Sequence, residues 1–171
     1  MRVYLIGYMA SGKSNLGQQL AAALGYAFAD IDYLFEERYR ISVFDFFEKY
    51  DEDSFRKIER KLLHETLAMD NTVISTGGGT PCFFDNMDFI ADAGISVYLH
   101  WPVEPLLCRL RAVRKKRPLL NKVQPDDLDR WVKGHLAERE KYYHRADYLF
   151  EAEKGDILML AGWIIRQSKP Y

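Results

Sequence analysis

The sequence predicts a three-layer α/β domain, with a five-stranded parallel sheet covered by helices on both faces and a mobile lid. Three observations lead there. Short apolar runs at residues 3–6, 26–29, 72–75, 95–99 and 148–150 alternate with stretches of helical periodicity, the order of repeated strand–helix–strand units. The first run leads straight into Gly7-Tyr8-Met9-Ala10-Ser11-Gly12-Lys13-Ser14, a G-x-x-x-x-G-K-S match between a strand and a helix. The chain length, 171 residues without internal repeat or linker, suits one domain with a full core.

Each element has its own signal. Val3-Tyr4-Leu5-Ile6 reads as a buried strand, and Leu16, Leu20, Ala23 and Leu24 mark one face of the helix after the loop. Gly25 is a helix stop, and Tyr26-Ala27-Phe28-Ala29 a second strand ending in Asp30-Ile31-Asp32. Helical spacing resumes at Leu34, Phe35 and Arg38, and Ser42 reads as the N-cap of a short helix with Val43, Phe46 and Phe47. A longer amphipathic helix follows, with Phe55, Ile58, Leu62 and Thr66 on one face and Arg56, Glu59 and Leu63 beside it. Thr72-Val73-Ile74-Ser75 is the third strand, running into Gly77-Gly78-Gly79. A helix to Ala93 stops at Gly94, and residues 95–99 form the fourth strand. Leu106, Leu107, Leu110 and Val113 follow Pro102 as a helix. Arg117-Pro118-Leu119-Leu120-Asn121 then breaks the periodicity, placing a lid at about residues 112–125. Helix returns from Asp126 to Tyr143, Tyr148-Leu149-Phe150 is the last strand, and Ile157, Leu160, Ile164 and Ile165 mark a closing helix.

Composition excludes several classes. The net charge is −1, so no global basic field draws nucleic acid or anionic membrane, although Arg109, Arg111, Arg114, Lys115, Lys116 and Arg117 cluster locally and suit an anion. No apolar run approaches a membrane span and no secretory signal is visible, so a cytoplasmic, monomeric protein is expected. Cys82 and Cys108 lack metal-ligand spacing and read as small buried hydrophobes.

The motif carries its own chemistry. Gly12 can take positive φ, which turns successive amides from Ala10, Ser11 and Gly12 inward as an anion nest. The helix start adds a dipole and the amides of Ser14, Asn15 and Leu16. Lys13 supplies a point charge for β- and γ-phosphates, and the Ser14 hydroxyl a ligand for Mg²⁺. Open α/β sheets bind ligands beyond the carboxyl ends of their strands. Asp30 and Asp32 emerge there, one able to face Mg²⁺ and the other an acceptor hydroxyl, while Asp32 could instead cap a helix beginning at Tyr33. Gly77, Gly78 and Gly79 strip side chains from the same edge, which suits close backbone approach to a ligand. Arg56 and Arg139 read as carboxylate or phosphate clamps or as surface arginines, and Arg117 as a residue able to fold over ATP phosphates.

Together these segments resemble the shikimate kinase family of nucleoside-monophosphate-kinase-like phosphate-loop proteins. The likeness runs through Gly7 to Ser14, Asp30-x-Asp32, Phe55-Arg56-x-Ile58-Glu59, Gly77-Gly78-Gly79, Arg117-Pro118-Leu119-Leu120 and Glu138-Arg139 to Tyr142-Tyr143, in that order up to about Phe150. The resemblance implies a P-loop kinase fold with an acceptor-binding helical segment at about residues 32–60. It also implies ATP-dependent phosphorylation of the shikimate 3-hydroxyl, a step towards the aromatic amino acids, with ATP and Mg²⁺. By that likeness Lys13, the loop and Arg117 hold ATP, Ser14 and (through water) Asp30 bind Mg²⁺, and Asp32 orients or deprotonates the acceptor. Arg56 and Arg139 clamp the carboxylate, Glu59 orders Arg56, Gly78 contacts the ring, and Phe47 and Phe55 pack near it. Ala10 departs from the family's frequent glycine, and Asn15 from a common threonine. No adenine contact matches around Glu153 to Asp156, which leaves Arg109 and Arg111 as stacking partners for the base. A gluconate or nucleoside-monophosphate kinase, or a nucleotide-binding module without catalysis, are the competing readings.

Overall fold

Strand β1 (Arg2–Ile6) sets the layers, because alternate side chains leave opposite faces of a strand. In this computed structural model, which describes residues 1–113, 120 and 123–167, Val3 and Leu5 enter one apolar cluster and Tyr4 and Ile6 another. The first cluster is closed by α1 (Lys13–Leu24) and the C-terminal helix α8 (Ile157–Gln167), through Leu20, Ala21, Leu160 and Ile164. The second lies under α2 (Ile31–Tyr39), α3 (Val43–Lys49), α4 (Glu52–Glu65), α5 (Asn86–Ala93), α6 (Val103–Val113) and α7 (Leu128–Tyr143).

With β2 (Ala27–Asp30), β3 (Thr72–Ser75), β4 (Ile95–His100) and β5 (Tyr148–Glu151), the sheet has five strands in the order β2-β3-β1-β4-β5, all parallel. β1 sits in the centre, and the chain passes to its two sides in turn, so the loop after β1 lies at the topological switch point. Register then gathers three segments at one edge. Ser75 of β3 pairs with Leu5 of β1 and with Asp30 of β2, so the phosphate loop, the triple glycine and the Asp30–Asp32 corner leave the sheet side by side.

Local signals explain the boundaries. Gly25 caps α1 at φ 68°, and Ser42 accepts the Asp45 amide at 3.0 Å at the start of α3. The segment after the triple glycine differs from expectation: a 3-10 turn at Thr80–Cys82 holds Pro81, and α5 begins only at Asn86. Cys108 is exposed rather than buried, because it lies off the Leu106, Leu107 and Leu110 stripe of α6, and Cys82 is half-buried. Arg117 and most of the expected lid lie outside the described residues. Among the described residues no helix is long and apolar enough to cross a membrane.

Candidate active site

The loop between β1 and α1 has the nest conformation. Ala10 and Gly12 both take left-handed backbone angles, φ 60° and 91°, which turns neighbouring amides to one side. Gly7 packs too closely for a side chain, since a Cβ there would lie 2.9 Å from the Leu99 carbonyl. Lys13 is buried and folds back along the loop. Its Nζ donates to the Gly7 carbonyl at 2.8 Å and the Tyr8 carbonyl at 2.9 Å. The Leu16 amide, expected to face an anion, instead donates to the Gly12 carbonyl at 3.0 Å, because it already belongs to the helical ladder. Leu16 lines the neighbouring cavity, and Asn15 lines the loop cavity with Lys13 and Ser14.

Asp30 performs two tasks. Its Oδ1 accepts the Asp32 amide at 3.0 Å and caps α2, while its Oδ2 accepts the Ser14 hydroxyl at 2.6 Å. The helix begins at Ile31, so Asp32 is in its first turn rather than serving as its cap. Asp32 lines the phosphate-loop cavity together with Ser75, Thr76 and Gly78. It also lines the adjoining pocket, with Met9, Val43, Phe47, Phe55, Arg56, Glu59, the three glycines and Arg139. One carboxylate therefore borders both spaces.

The second pocket sets two buried arginines beside aromatic side chains. Arg56 is buried on α4 and donates to Glu59 at 2.6 Å and to Glu52 at 2.9 Å. Burial opposes its charge, but Glu59 and Glu52 outweigh that and hold its pKa above the ordinary value. Glu59 in turn accepts the Thr80 hydroxyl at 2.6 Å, which fixes both ends of the pair. Phe83 lies 4.3 Å below the guanidinium, with Phe55 at 5.2 Å and Phe47 at 6.0 Å. Arg139, on α7, is only 7% exposed, and among the described residues no carboxylate forms an ion pair with it. Burying an unpaired charge costs several kcal/mol, so such a site calls for an anion from outside.

The triple glycine is what lets these groups meet. A Cβ on Gly77 would lie 2.4 Å from Glu59 Oε1, one on Gly78 3.0 Å from the Met9 amide, and one on Gly79 2.5 Å from Arg56 Nη2. Arg56 is tied down by two carboxylates and cannot step aside cheaply. Gly79→Ala is expected to raise the KM for the acceptor by about 10- to 100-fold, with the KM for ATP within about 2-fold. Steady-state kinetics in both substrates checks this, and equal effects on both would contradict it.

Helix α7 is joined to the phosphate loop by a second contact. The Tyr8 hydroxyl and His135 Nδ1 share a 2.6 Å hydrogen bond, Trp131 stacks on the imidazole at 4.3 Å, and the Arg139 guanidinium lies 6.0 Å from the Tyr8 ring. Burial, then Arg139 and Arg56, push the His135 pKa down to about 4 from the ordinary 6.5. As pH falls the unfolded chain therefore takes up this proton first. The resulting stability is complete above about pH 6.5 and is lost as pH falls through about 4. His135→Asn should remove that share, so its denaturation midpoint should fall less between pH 7 and 4.5 than that of the parent. An identical fall would contradict the assignment.

On the other side of the loop, Ser11, Gly12, Leu16, Trp101, Arg109 and Ile157 border a third cavity. Trp101 Nε1 donates to the Ser11 carbonyl at 2.8 Å, and Arg109 Nε to the Ala10 carbonyl at 2.8 Å. Arg111 is engaged elsewhere, its Nη2 donating to both carboxylate oxygens of Asp129 at 2.7 Å, and does not line this cavity.

Comparison with known proteins decides among the small-molecule kinases that such a cleft could serve. The profile of the family described as shikimate kinase matches residues 9–166. The chain belongs to the shikimate kinase family. It is 42% identical to the shikimate kinase of Parabacteroides distasonis over 153 residues, which is 90% of this chain and 88% of the relative. Its fold superimposes on the crystal structure of shikimate kinase from Bacteroides thetaiotaomicron with a TM-score of 0.83 at 36% identity, covering 98% of this chain and 95% of the other. The Acinetobacter baumannii shikimate kinase, solved in complex with shikimate, gives 0.84 at 34% identity, covering 97% and 91%. Membership makes the chain an ATP-dependent enzyme that phosphorylates shikimate.

Several residues of this shikimate kinase-family site were given no role in the sequence reading, although Tyr143 lies in a segment that carried the likeness. Tyr143 is fully buried and donates to the Gly78 carbonyl at 2.5 Å. Its position four residues after Arg139 on one helix face was the available clue. Thr80, Glu52 and Trp101 act through partners 21, 4 and 90 residues away, and of these only the helical spacing of Glu52 and Arg56 is local.

Proposed function

We propose that the two adjoining cavities hold ATP and shikimate at once, with Asp32 at their junction aligning the 3-hydroxyl and accepting its proton. The carrying observation is that Asp32 borders both spaces, while Arg139 is buried in the acceptor pocket with no carboxylate partner among the described residues. Arg56 and Arg139 would take the shikimate carboxylate, since two guanidinium groups on an aromatic floor suit a ring acid. Phe47 and Phe55 supply that floor, and the glycine backbone permits close approach.

Lys13 would exchange the Gly7 and Tyr8 carbonyls for β- and γ-phosphate oxygens, and the amides of Gly12 to Asn15 would face the phosphates, the Ser11 amide being held by the Tyr8 carbonyl at 3.3 Å. The adenine would enter the third cavity beside Arg109. Ser14 Oγ and Asp30 Oδ2, 2.6 Å apart, are hard oxygen donors that fit Mg²⁺. Among the described residues no group of three or more His, Cys, Asp or Glu side chains is placed to hold a metal, so phosphate and water would supply the remaining ligands. When bound, Mg²⁺ neutralises charge on the transferring phosphoryl group. Arg117, outside the described residues, is assigned to the same phosphates from the lid at about residues 112–125, which would exclude water. A monomer in the cytoplasm is the assembly and location proposed for the chain.

The test is ADP release over a panel of shikimate, gluconate and nucleoside monophosphates. Turnover with shikimate at far higher kcat/KM than with the others is expected. Turnover with gluconate or a nucleotide and none with shikimate would overturn the acceptor assignment.

A further inference from the structure

Ala10 has a backbone conformation that an alanine rarely adopts. At φ 60° its Cβ crowds the following carbonyl, yet this left-handed angle sets the turn, closed by the Ser11 amide donating to the Tyr8 carbonyl at 3.3 Å, that leads the loop into Gly12 and the helix start. Two side chains from one segment hold the carbonyls on either side of the Ala10–Ser11 junction. Arg109 Nε donates to the Ala10 carbonyl and Trp101 Nε1 to the Ser11 carbonyl, both at 2.8 Å. The two donors also hold each other, because the Arg109 guanidinium lies 4.6 Å from the Trp101 ring. Trp101 directly follows β4 and Arg109 lies in the helix after it, so both are anchored outside the loop itself.

We propose that Trp101 is a positioning residue for nucleotide binding: with Arg109 it braces Ala10 in the left-handed state and so keeps the phosphate loop preshaped. Nothing in this role requires Trp101 to touch the nucleotide. It acts through the Ser11 carbonyl and by fixing the plane of Arg109. The brace matters here because residue 10 is alanine. A glycine adopts the same angle without strain and needs no support.

This inference rests on the reading that the loop receives the phosphates, and the experiment separates the two. Affinity for ADP with Mg²⁺ is measured by calorimetry for the parent, Trp101→Phe, Ala10→Gly and the double variant, with shikimate affinity measured alongside. Loss of the brace leaves the loop to populate its binding shape unaided, so Trp101→Phe should weaken ADP binding roughly 5- to 30-fold. Its shikimate affinity should stay within about 2-fold, since Trp101 does not border that pocket. In the Ala10→Gly background the same Trp101→Phe change should weaken ADP by no more than about 2-fold.

Ala10→Gly alone is informative without any change at Trp101. A braced alanine predicts ADP affinity within about 2-fold of the parent, whereas an unbraced one would gain roughly 5- to 30-fold on replacement. Equal losses from Trp101→Phe in both backgrounds, or tighter ADP binding by Ala10→Gly, would overturn the brace. Failure of the parent to bind ADP at all would instead overturn the phosphate-loop assignment.

Discussion

Asp32→Asn is expected to bind ADP and shikimate with affinities within a few-fold of the parent and to lose about 10²- to 10⁴-fold in kcat. The substitution keeps the shape and one acceptor oxygen but removes the negative charge and the proton acceptor. Asp32 stands in the first turn of α2, behind the Asp30 cap, so its backbone is fixed by a neighbour that the substitution leaves alone. The loss should therefore fall on the chemical step. A phosphoryl group passing through a loose transition state demands little early deprotonation, and alignment then accounts for much of the effect. Rapid-quench measurement of the first turnover separates that step from product release. Parent-like turnover in this variant would show that Asp32 neither aligns nor deprotonates the acceptor.

Lys13→Met is expected to lower kcat about 10²- to 10³-fold, the usual effect of removing one preorganised donor from developing charge. ATP affinity should weaken as well, because the ammonium meets phosphate in the ground state and in transfer alike. Burial sharpens this expectation. Lys13 is 8% exposed, and its Nζ is held by the Gly7 and Tyr8 carbonyls. Methionine fills the same volume without satisfying those carbonyls. Shikimate affinity without nucleotide should change little, as Lys13 does not line that pocket. Normal kinetics in ATP would undercut the loop assignment, while an equal loss of shikimate binding would point to general disorder of the cleft.

The extent to which these residues could be read from sequence follows from how local their physics is. The loop from Gly7 to Ser14 and the Asp30–Asp32 corner are legible because a turn, a cap and a helix start act over a few residues. Even there the Leu16 amide proved committed to Gly12, a detail set by where the helical ladder begins. Five parallel strands followed from apolar runs, although β2 runs one residue later than the run suggested, to Asp30, where Ser75 still offers a pairing partner.

Arg56 and Arg139 were ambiguous for a different reason. Helical spacing places them next to apolar stripes but does not say which neighbours cover them. Burial comes from Phe83 and the triple glycine for Arg56, and from packing of α7 against the loop for Arg139. Only the joint order of motifs, through the resemblance to shikimate kinases, singled them out. His135 and Trp101 were beyond even that, since their bonds to Tyr8 and Ser11 span 127 and 90 residues.

The central claim is geometric: one carboxylate, Asp32, stands between a nucleotide held by the loop and a ring acid held by two arginines. A crystal structure with ADP, Mg²⁺ and shikimate bound together measures it directly. The account predicts the shikimate carboxylate between Arg56 and Arg139, and its 3-hydroxyl about 2.6–3.2 Å from an Asp32 oxygen on the side facing the β-phosphate. Shikimate seated away from those arginines, or its 3-hydroxyl turned from Asp32 with ADP in place, would contradict it.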